Sequence, residues 1–600
     1  MSRVTFGLVV LIGGIGVPAM GYELEHTALD KVQVGGEIGR RIAVTVKNNL
    51  LVMDVDKDFL RPFQEKKRAD GFVGLGMLID AMARLAFHTG DGDLIARKSH
   101  VVDTAIAAQG ADGYLGMMRP ASRITKLWDV HEMAYLVLGL ASDYALFGQE
   151  KSLQAARKLA DYLLARLTEA PPPGVFDCDL SPEMPITGLA DAFLFLSEQS
   201  GDARYRDFCV DVLEVKAWRK PIVKGRWGQI DGHVYAYLDK CLVQLRLDPQ
   251  KEDAGLQAMS RGVLDFMLRG NGLVISGACG DHECWQDTQA GATNLGETCA
   301  SAYQLRFWDE LMRQAPDPLY GDLMERTIFN TLFGAQSPDG RWIRYYTPFE
   351  APRAYFEGDT YCCPNNYRRG LSEVPRMIVY RAAEGLLVNL YTPCTVEAAL
   401  ADGRRVLLRQ ETDYPNSGNV TIRVKAEEEA RFALRLRIPR WCETAAVRVN
   451  GEPLAEAPKG GTFCRIQRVW GADDMVQLEM PMPWHLVKGR VAQAGRVAIL
   501  RGPQLFALNR ARNAGLEEME PRLLTLDVDA ISGPVPDDSV RPGGMSCTVR
   551  VWEAGAWYPH AGTRAVTLTE FADPGAEAVY FHVPNPDDAR YVADPLFVGD

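Results

Sequence analysis

Hydrophobic residues recur at helical spacing through most of the first 380 positions of the chain. Leu75, Leu78, Ile79, Met82 and Leu85 follow the i, i+3, i+4, i+7 pattern of an amphipathic helix. The same pattern predicts about a dozen helices with short connections. They include 40–54, 186–197, 204–215, 232–247, 256–268, 301–313, 320–333 and 367–380. Pairs of such helices stacked in a ring form an (α/α)6 barrel. A helical solenoid is the structural alternative, but the chain shows no fixed-period repeat.

The pattern changes to strand period near residue 382. Phe432, Leu434 and Leu436 alternate with polar or small residues, as in a half-buried strand. Similar short segments separated by Asn- and Gly-containing turns continue to residue 500 and predict a β-sandwich. Arg501-Gly-Pro503 marks a possible boundary, and the remainder is β-rich. The predicted fold is multidomain α + β, with an N-terminal (α/α)6 barrel at 22–380, a β-sandwich at 381–500 and a second β-rich domain at 501–600.

The first 21 residues read as a signal peptide. Arg3 precedes an apolar stretch at 6–17, and small residues at Ala19 and Gly21 offer cleavage sites. That stretch is shorter than the ~20 apolar residues that span a bilayer, and no later segment reaches that length. A buried first helix is the alternative. We therefore expect an exported protein, periplasmic or extracellular, without membrane insertion.

Charge and composition restrict the classes of partner that the protein is expected to bind. The chain of 600 residues carries a net charge of −12, and 47% of its residues are hydrophobic. Such a charge argues against nucleic acid and against anionic membrane surfaces as partners. A length of 600 residues predicts several domains rather than one core. The sequence does not indicate an oligomeric state.

Three of the twelve cysteines, together with one glutamate, suggest a metal site. Cys362 and Cys363 are adjacent, and Glu297 and Cys299 lie upstream; together they offer one oxygen and three sulfur ligands of the kind zinc accepts. On an extended strand the adjacent thiols would point to opposite faces, so a bend at 364–366 would have to bring both to one ion. Disulfides Cys284–Cys299 or Cys362–Cys363 are the alternative in an oxidising compartment.

Several motifs together resemble glycoside hydrolase family 127. They are Glu297-Thr-Cys299-Ala, Met324-Glu-Arg-Thr-Ile-Phe-Asn330, Cys362-Cys-Pro-Asn-Asn366 and Gly385-Leu-Leu-Val-Asn-Leu-Tyr391. The spaced Glu-x-Cys and Cys-Cys pair is the specific part. This family contains β-L-arabinofuranosidases, so the resemblance implies a retaining, exo-acting hydrolase of plant or algal glycans. It also implies an (α/α)6 catalytic barrel followed by β-sandwich domains.

The resemblance implies roles for individual residues. Zinc would be held by Glu297, Cys299, Cys362 and Cys363, with Cys362 also the nucleophile. Glu283 would be the acid/base, and desolvation by Trp285 would raise the pKa of its carboxyl. Softer matches at 128–132 and 231–233 place His131 and His233 among the sugar contacts. Trp285 is a further candidate that would stack on a sugar face, with a place in the core as the alternative. From the residues alone, a structural zinc and a catalytic thiolate are equally compatible with the cluster.

The chain departs from the family pattern at three places. Thr360 stands where members often carry an outer cysteine, His282-Glu-Cys-Trp285 replaces a Gly-Glu-Ala-Phe segment, and a histidine common near 184–188 is missing. These departures concern sugar recognition more than the catalytic core.

Two other classes of function compete with a glycosidase. A non-catalytic carbohydrate-binding protein with a structural zinc would bind sugar without turnover. Another (α/α)6 enzyme, such as a lyase or an unsaturated-uronide hydrolase, would use carboxylate or Tyr/His chemistry and tolerate metal removal.

Overall fold

The computed structural model of the protein describes residues 22–177, 183–225, 232–516, 519–553 and 563–597. The predicted signal peptide lies outside these ranges. Within them, no helix combines the length and the apolar composition that a bilayer-spanning helix needs.

Fourteen α-helices occupy the described part of the chain before residue 374. They are α1 (Gly36–Thr45), α2 (Arg61–Glu65), α3 (Leu75–Thr89), α4 (Gly92–Ala107), α5 (Leu127–Phe147), α6 (Glu150–Glu169), α7 (Leu189–Ser200), α8 (Ala203–Asp211), α9 (Val234–Leu247), α10 (Ala254–Leu268), α11 (Thr298–Gln314), α12 (Pro318–Arg326), α13 (Phe333–Ala335) and α14 (Cys362–Glu373). Short π-helical turns follow α1 at Val46–Leu50, precede α2 at Asp56–Leu60 and follow α12 at Thr327–Leu332.

Six of these helices close into an inner ring. Helices α3, α5, α7, α9, α11 and α14 each pack on the next, and α14 returns to α3. They are buried on nearly every face, as α5 illustrates with an unbroken buried run from Asp129 to Asp143. Helices α4, α6, α8 and α10 pack outside them and carry one apolar face each. Helix α12 also packs outside the ring but is buried along nearly its whole length. The expected (α/α)6 architecture is therefore confirmed.

Helix α14 differs from the predicted helix at 367–380. It begins five residues earlier, at Cys362, and ends at Glu373, after which a 3₁₀ turn leads into a strand at Val379. The sequence expectation of two cysteines on an extended segment before a bend at 364–366 is therefore wrong. Pro364 lies in the first helical turn, where its missing N–H costs no hydrogen bond.

The strands form three sheets. They are β1 (Leu24–His26), β2 (Val32–Val34), β3 (Val379–Ala382), β4 (Gly385–Val388), β5 (Cys394–Ala399), β6 (Arg405–Thr412), β7 (Asn419–Ala426), β8 (Ala430–Ile438), β9 (Ala446–Val449), β10 (Glu452–Pro453), β11 (Thr462–Trp470), β12 (Asp474–Glu479), β13 (Trp484–Lys488), β14 (Arg496–Arg501), β15 (Gln504–Leu508), β16 (Leu524–Pro536), β17 (Met545–Glu553), β18 (Arg564–Glu570), β19 (Tyr580–His582) and β20 (Tyr591–Val592).

Two of the sheets make a sandwich. The first has the order β1-β3-β4-β8-β11 and the second β10-β9-β12-β7-β6-β5-β2. Leu434 of β8 and Ile422 of β7 belong to one buried core, which confirms the β-sandwich. Strands β1 and β2 join it from the N-terminus, ahead of the helical ring, by pairing with β3 and β5.

The third sheet closes into a small barrel. Its strands run β15-β18-β17-β16-β19-β14, and β14 pairs back on β15, with β13 and β20 continuing beyond β14. Strands β13 and β14 lie within the range that the sequence allotted to the sandwich. Strand period tells which face of a segment is buried but not which strand it pairs with, so this assignment needed the structure.

Candidate active site

The four predicted metal ligands meet at the N-termini of two inner-ring helices. Glu297 is the N-cap residue of α11 and Cys299 lies in its first turn, while Cys362 and Cys363 are the first two residues of α14. Their ligand atoms all lie within 4.8 Å of one another, and all four residues are buried. Helix N-termini stabilise negative charge, so both elements favour thiolates and a carboxylate at this place.

Local backbone conformation sets the directions of these side chains. Tyr361 has φ of +89°, which turns the chain sharply into α14. Its N–H donates to the Val73 carbonyl at 3.1 Å, and its carbonyl accepts from Asn365 Nδ2 at 2.7 Å. Because successive residues of a helix point about 100° apart, Cys362 and Cys363 reach the same cluster without an extended-chain bend.

Gly296 makes the corresponding turn into α11. Its φ is +69°, and a Cβ there would lie 2.7 Å from Thr347 Oγ1. Only glycine fits such a backbone without strain, so this position lets Glu297 enter the cluster.

The cluster holds an excess of acidic groups. Cys299 Sγ lies 3.2 Å from Cys363 Sγ, and Cys363 Sγ lies 3.6 Å from Glu297 Oε1. Glu297 Oε2 is buried and has no hydrogen-bond partner among the described residues. No disulfide joins the described cysteines. Buried carboxylates and thiolates need a compensating charge, and three sulfur atoms with one oxygen form a complete donor set for a transition metal. The group fits a metal ion.

The pKa values of the three cysteines of the cluster shift in different directions. Burial raises the pKa of Cys299 and Cys363 well above the usual thiol value. Burial also acts on Cys362, but hydrogen bonds from the Cys299 and Cys363 thiols and from the Tyr345 hydroxyl outweigh it and hold its pKa well below that value. Burial, with the nearby Glu283 charge, raises the pKa of Glu297. Of the three sulfurs, Cys362 is therefore the one whose surroundings most favour a thiolate.

Glu283 lies beside the cluster and is held by two side chains. Tyr345 donates its hydroxyl to Glu283 Oε1 at 2.5 Å, and His233 Nε2 lies 3.2 Å from Glu283 Oε2. His282 and Glu283 both have positive φ, 48° and 69°, which is uncommon for residues other than glycine. The loop is thus held in a specific conformation that aims the Glu283 carboxylate at the cluster.

Tyr345 is a site residue that the sequence analysis missed. Its hydroxyl contacts Cys362 Sγ at 3.6 Å as well as Glu283. These two contacts limit the Sγ–Oε1 separation to at most about 6 Å, a range that includes the ~5–5.5 Å between the paired catalytic groups of retaining glycosidases. Tyr345 lies in a loop between α13 and α14, where no periodicity or motif indicates its position.

The two predicted sugar-binding histidines lie in the same region. His131 Nε2 is 2.7 Å from the Tyr235 hydroxyl, and the Tyr235 ring packs edge-on against His233. The Nδ1 atoms of both histidines are buried and lack a hydrogen-bond partner among the described residues. Burial lowers the pKa of His131 to about 3, so its ring is neutral near pH 7. Two unpaired ring nitrogens suit the hydroxyl groups of a ligand.

Trp285 has a different environment from the histidines. Its side chain is fully buried and packs edge-on against Tyr237 and Phe266. No ring face is open to a sugar in this conformation, which favours core packing, and the predicted stacking role stays a prediction. A cavity of about 730 Å³ lies beside it, lined also by His282 and Tyr346.

Comparison with known proteins identifies the family. The GH127 catalytic-domain model of β-L-arabinofuranosidase matches residues 43–376, and the GH127 middle-domain model matches residues 385–482. The middle-domain match covers β4 to β12 of the sandwich and ends just before β13.

Individual relatives show the same similarity. A non-reducing end β-L-arabinofuranosidase from Bifidobacterium longum subsp. longum is 24% identical over 505 residues, which cover 73% of this chain and 75% of that protein. The structure of a GH127 β-L-arabinofuranosidase from Geobacillus stearothermophilus T6 has a TM-score of 0.75 at 22% identity, covering 92% of this chain and 100% of that chain.

A GH127 β-arabinofuranosidase structure gives a TM-score of 0.77 at 20% identity and covers 94% of this chain and 98% of that chain. At such identities the structures show a shared fold, whereas the catalytic-domain model alone covers more than half of the chain. The protein therefore belongs to glycoside hydrolase family 127 and is a β-L-arabinofuranosidase-like glycoside hydrolase.

Proposed function

We propose that the protein is a retaining, exo-acting glycosidase that releases β-L-arabinofuranosyl or a closely related sugar from plant or algal glycans. In this proposal Cys362 is the nucleophile and Glu283 the acid/base. The contact of the Tyr345 hydroxyl with both Glu283 Oε1 and Cys362 Sγ is the observation that carries it. It pairs a thiolate with a proton-exchanging carboxyl at a separation suited to retention.

The reaction has two steps. In the first, Cys362 Sγ attacks the anomeric carbon, the glycosidic C–O bond breaks, and Glu283 gives its proton to the departing oxygen. In the second, the Glu283 carboxylate takes a proton from water, the water oxygen attacks the anomeric carbon, and the C–S bond breaks to return the thiolate. The carboxyl and the thiolate thus end each cycle in their starting states.

Glu297, Cys299, Cys362 and Cys363 would hold a zinc ion. When bound, zinc keeps its thiol ligands deprotonated and offsets the buried negative charge of the group. The helices α11 and α14 fix the four side chains, and Tyr345 and His233 fix the Glu283 carboxylate. His131 and His233 would bind sugar hydroxyls through their unpaired Nδ1 atoms.

Export is part of the same proposal. The charged and apolar pattern of residues 1–21 supports a cleaved signal peptide and action in the periplasm or outside the cell. Complex glycans are found there, and the coordinated thiols of the cluster would be protected from oxidation by their metal.

A panel of nitrophenyl glycosides that includes the β-L-arabinofuranoside tests the activity. We expect turnover of this substrate, or of a sugar of closely similar shape, with the anomeric configuration retained in the first-formed product. Sugar binding without turnover would instead indicate a carbohydrate-binding protein with a structural metal. An unsaturated product would indicate a lyase.

A further inference from the structure

A positively charged cavity opens beside the candidate active site. It has a volume of about 640 Å³ and is lined by Lys57, Arg61, Lys67 and Arg68, and also by Phe72 and Thr360 among others. We call it the basic cavity. Its basic residues and Phe72 come from the segment that precedes the first inner-ring helix, α3, and Thr360 comes from the segment that leads into α14.

One layer of side chains separates the basic cavity from the catalytic residues. The Phe72 ring packs at 4.8 Å from the His131 ring and at 5.8 Å from the Tyr361 ring, measured between centroids. Tyr361 directly precedes Cys362, and Thr360 of the cavity wall directly precedes Tyr361. The lining of the basic cavity therefore adjoins the residues that surround Cys362.

The basic groups of the cavity have few counter-ions. In the part of the chain that the structure describes, Lys57, Arg61 and Arg68 are exposed and form no ion pair, while Lys67 lies 4.0 Å from Glu65. Asp359 of the lining is already bound by Arg341 at 2.6 Å and by Arg368. Asp58 is the remaining carboxylate of the lining. The lining thus has four cationic side chains and three carboxylates, of which Asp359 is already paired with arginines outside the lining. The remaining charge is positive, on a protein whose net charge is −12.

We propose that the basic cavity binds an anionic group, the carboxylate of a uronic acid or a sulfate ester, on a sugar adjoining the residue that is cleaved. This inference rests on the proposed glycosidase function and specifies its substrate class as an acidic glycan. Guanidinium groups match planar, two-oxygen anions through paired N–H donors. A concave site with an excess of positive charge also attracts such a ligand from a distance.

Direct binding of three probes tests this inference. Calorimetry would compare tri-galacturonic acid, a sulfated galactan trisaccharide and neutral galactotriose against the metal-loaded protein. We expect one or both anionic probes to bind, more weakly as sodium chloride is raised, and galactotriose to bind at least about tenfold more weakly. The anionic probe that binds identifies carboxylate or sulfate as the group recognised.

The double variant Arg61→Gln/Arg68→Gln should lose about tenfold or more in affinity for the anionic probe. The matched control is Arg405→Gln/Arg431→Gln, which removes two exposed arginines of the sandwich strands β6 and β8 and should leave that affinity unchanged. Thermal unfolding checks that both variants fold.

Three results would overturn the inference: no anionic binding, equal binding of galactotriose, or unchanged affinity in the Arg61/Arg68 variant. Inorganic sulfate binding as tightly as the anionic trisaccharides would also overturn it, because it would show a general anion surface without sugar recognition. The binding readout does not depend on turnover of nitrophenyl arabinofuranoside. Failure of this inference can therefore be told apart from failure of the proposed activity.

Discussion

Cys362 differs from its neighbours in the cluster by the groups that face its sulfur. The Cys299 and Cys363 thiols and the Tyr345 hydroxyl lie within hydrogen-bonding reach of it, and these contacts hold its pKa well below the usual thiol value despite burial. Cys299 and Cys363 lack this set of donors, and burial raises their pKa. Of the three sulfurs, only Cys362 also shares a hydroxyl contact with Glu283. These differences assign it the nucleophilic role in the proposed mechanism.

A mechanism-based arabinofuranosyl trap followed by peptide mass spectrometry checks that assignment. We expect the label on Cys362, and we expect Cys362→Ala to lower kcat by about a thousandfold or more. Cys279→Ala is the matched control, because Cys279 is buried close by with its Sγ 3.0 Å from Gln304 Oε1, outside the ligand set. A label on Glu283 or Glu297 would instead identify a carboxylate nucleophile and leave the metal a structural role.

Glu283→Gln tests the acid/base role. The amide cannot give a proton to the leaving oxygen, so turnover of substrates with poor leaving groups should fall by about 10²–10⁴-fold. A nitrophenyl leaving group needs less protonation, so its release in the first step should be partly spared. Steady-state and burst kinetics on both substrate types measure the difference. Equal losses on the two would argue against proton transfer by Glu283.

Tyr345→Phe tests positioning without removing either catalytic group. Losing a hydrogen bond to a charged carboxylate costs about 1.5–3 kcal/mol, so kcat should fall by about 10–100-fold with a much smaller change in KM. Tyr346→Phe is the matched control, because its hydroxyl lies 3.4 Å from Glu283 Oε1 rather than 2.5 Å. Similar effects of the two changes would show that Tyr345 has no special role.

At the scale of elements, the sequence predicted the segments that have a hydrophobic period or a recognisable motif, and it missed features that neither of these marks. The inner helices and the sandwich strands follow from hydrophobic period, and the Glu-x-Cys and Cys-Cys spacings pointed to Glu297, Cys299, Cys362 and Cys363. The sequence analysis placed the start of α14 too late because Pro364 and its neighbouring asparagines are typical of a turn. In the structure the turn occurs at Tyr361, and the positive φ of this residue cannot be predicted from a tyrosine. Tyr345 was missed because loop positions carry no period.

The junction between β1 and α11 gives a pH-dependent prediction. His26 of β1 lies 2.9 Å from both carboxylate oxygens of Asp309 on α11. Burial lowers the pKa of His26 to about 3, and the Asp309 charge opposes this only in part. The ordinary histidine value is about 6.5, so between pH 6.5 and 3 the unfolded chain binds the extra proton. Stability is therefore present above pH 6.5 and is lost as the pH falls toward 3.

His26→Gln should flatten this dependence by up to about 1.4 kcal/mol per pH unit between pH 6 and 4. Urea unfolding of wild type and variant across that range measures the slope. Tyr380→Phe is the control: it removes the 2.8 Å hydrogen bond to Asp309 Oδ1 and leaves the titrating histidine in place. Parallel slopes in wild type and His26→Gln would contradict the prediction.

At the scale of the whole molecule, buried ion pairs connect the helical ring to both β domains. Arg437 of β8 contacts Asp322 and Glu325 of α12, with all three side chains buried. Arg326 at the end of α12 lies 2.9 Å from Asp594, beyond the last strand of the barrel. Removing one partner of such a pair leaves the other charge buried and uncompensated. The position of α12 next to α11 thus couples the β domains to the helix that carries Glu297 and Cys299.

Metal removal should therefore weaken the whole fold rather than the site alone. The ligand group joins α11 to α14, two neighbours in the inner ring, and α14 leads within a few residues into β3 of the sandwich. Without an ion, four buried acidic groups face one another, and metal binding that favours the folded state contributes directly to stability.

We expect about one zinc per chain by elemental analysis and a lower Tm after chelation, restored by added zinc. Glu297→Gln should bind metal weakly and show little further loss of Tm with chelator. An equal chelator effect on wild type and on this variant, or freshly purified protein without a transition metal, would contradict the zinc proposal.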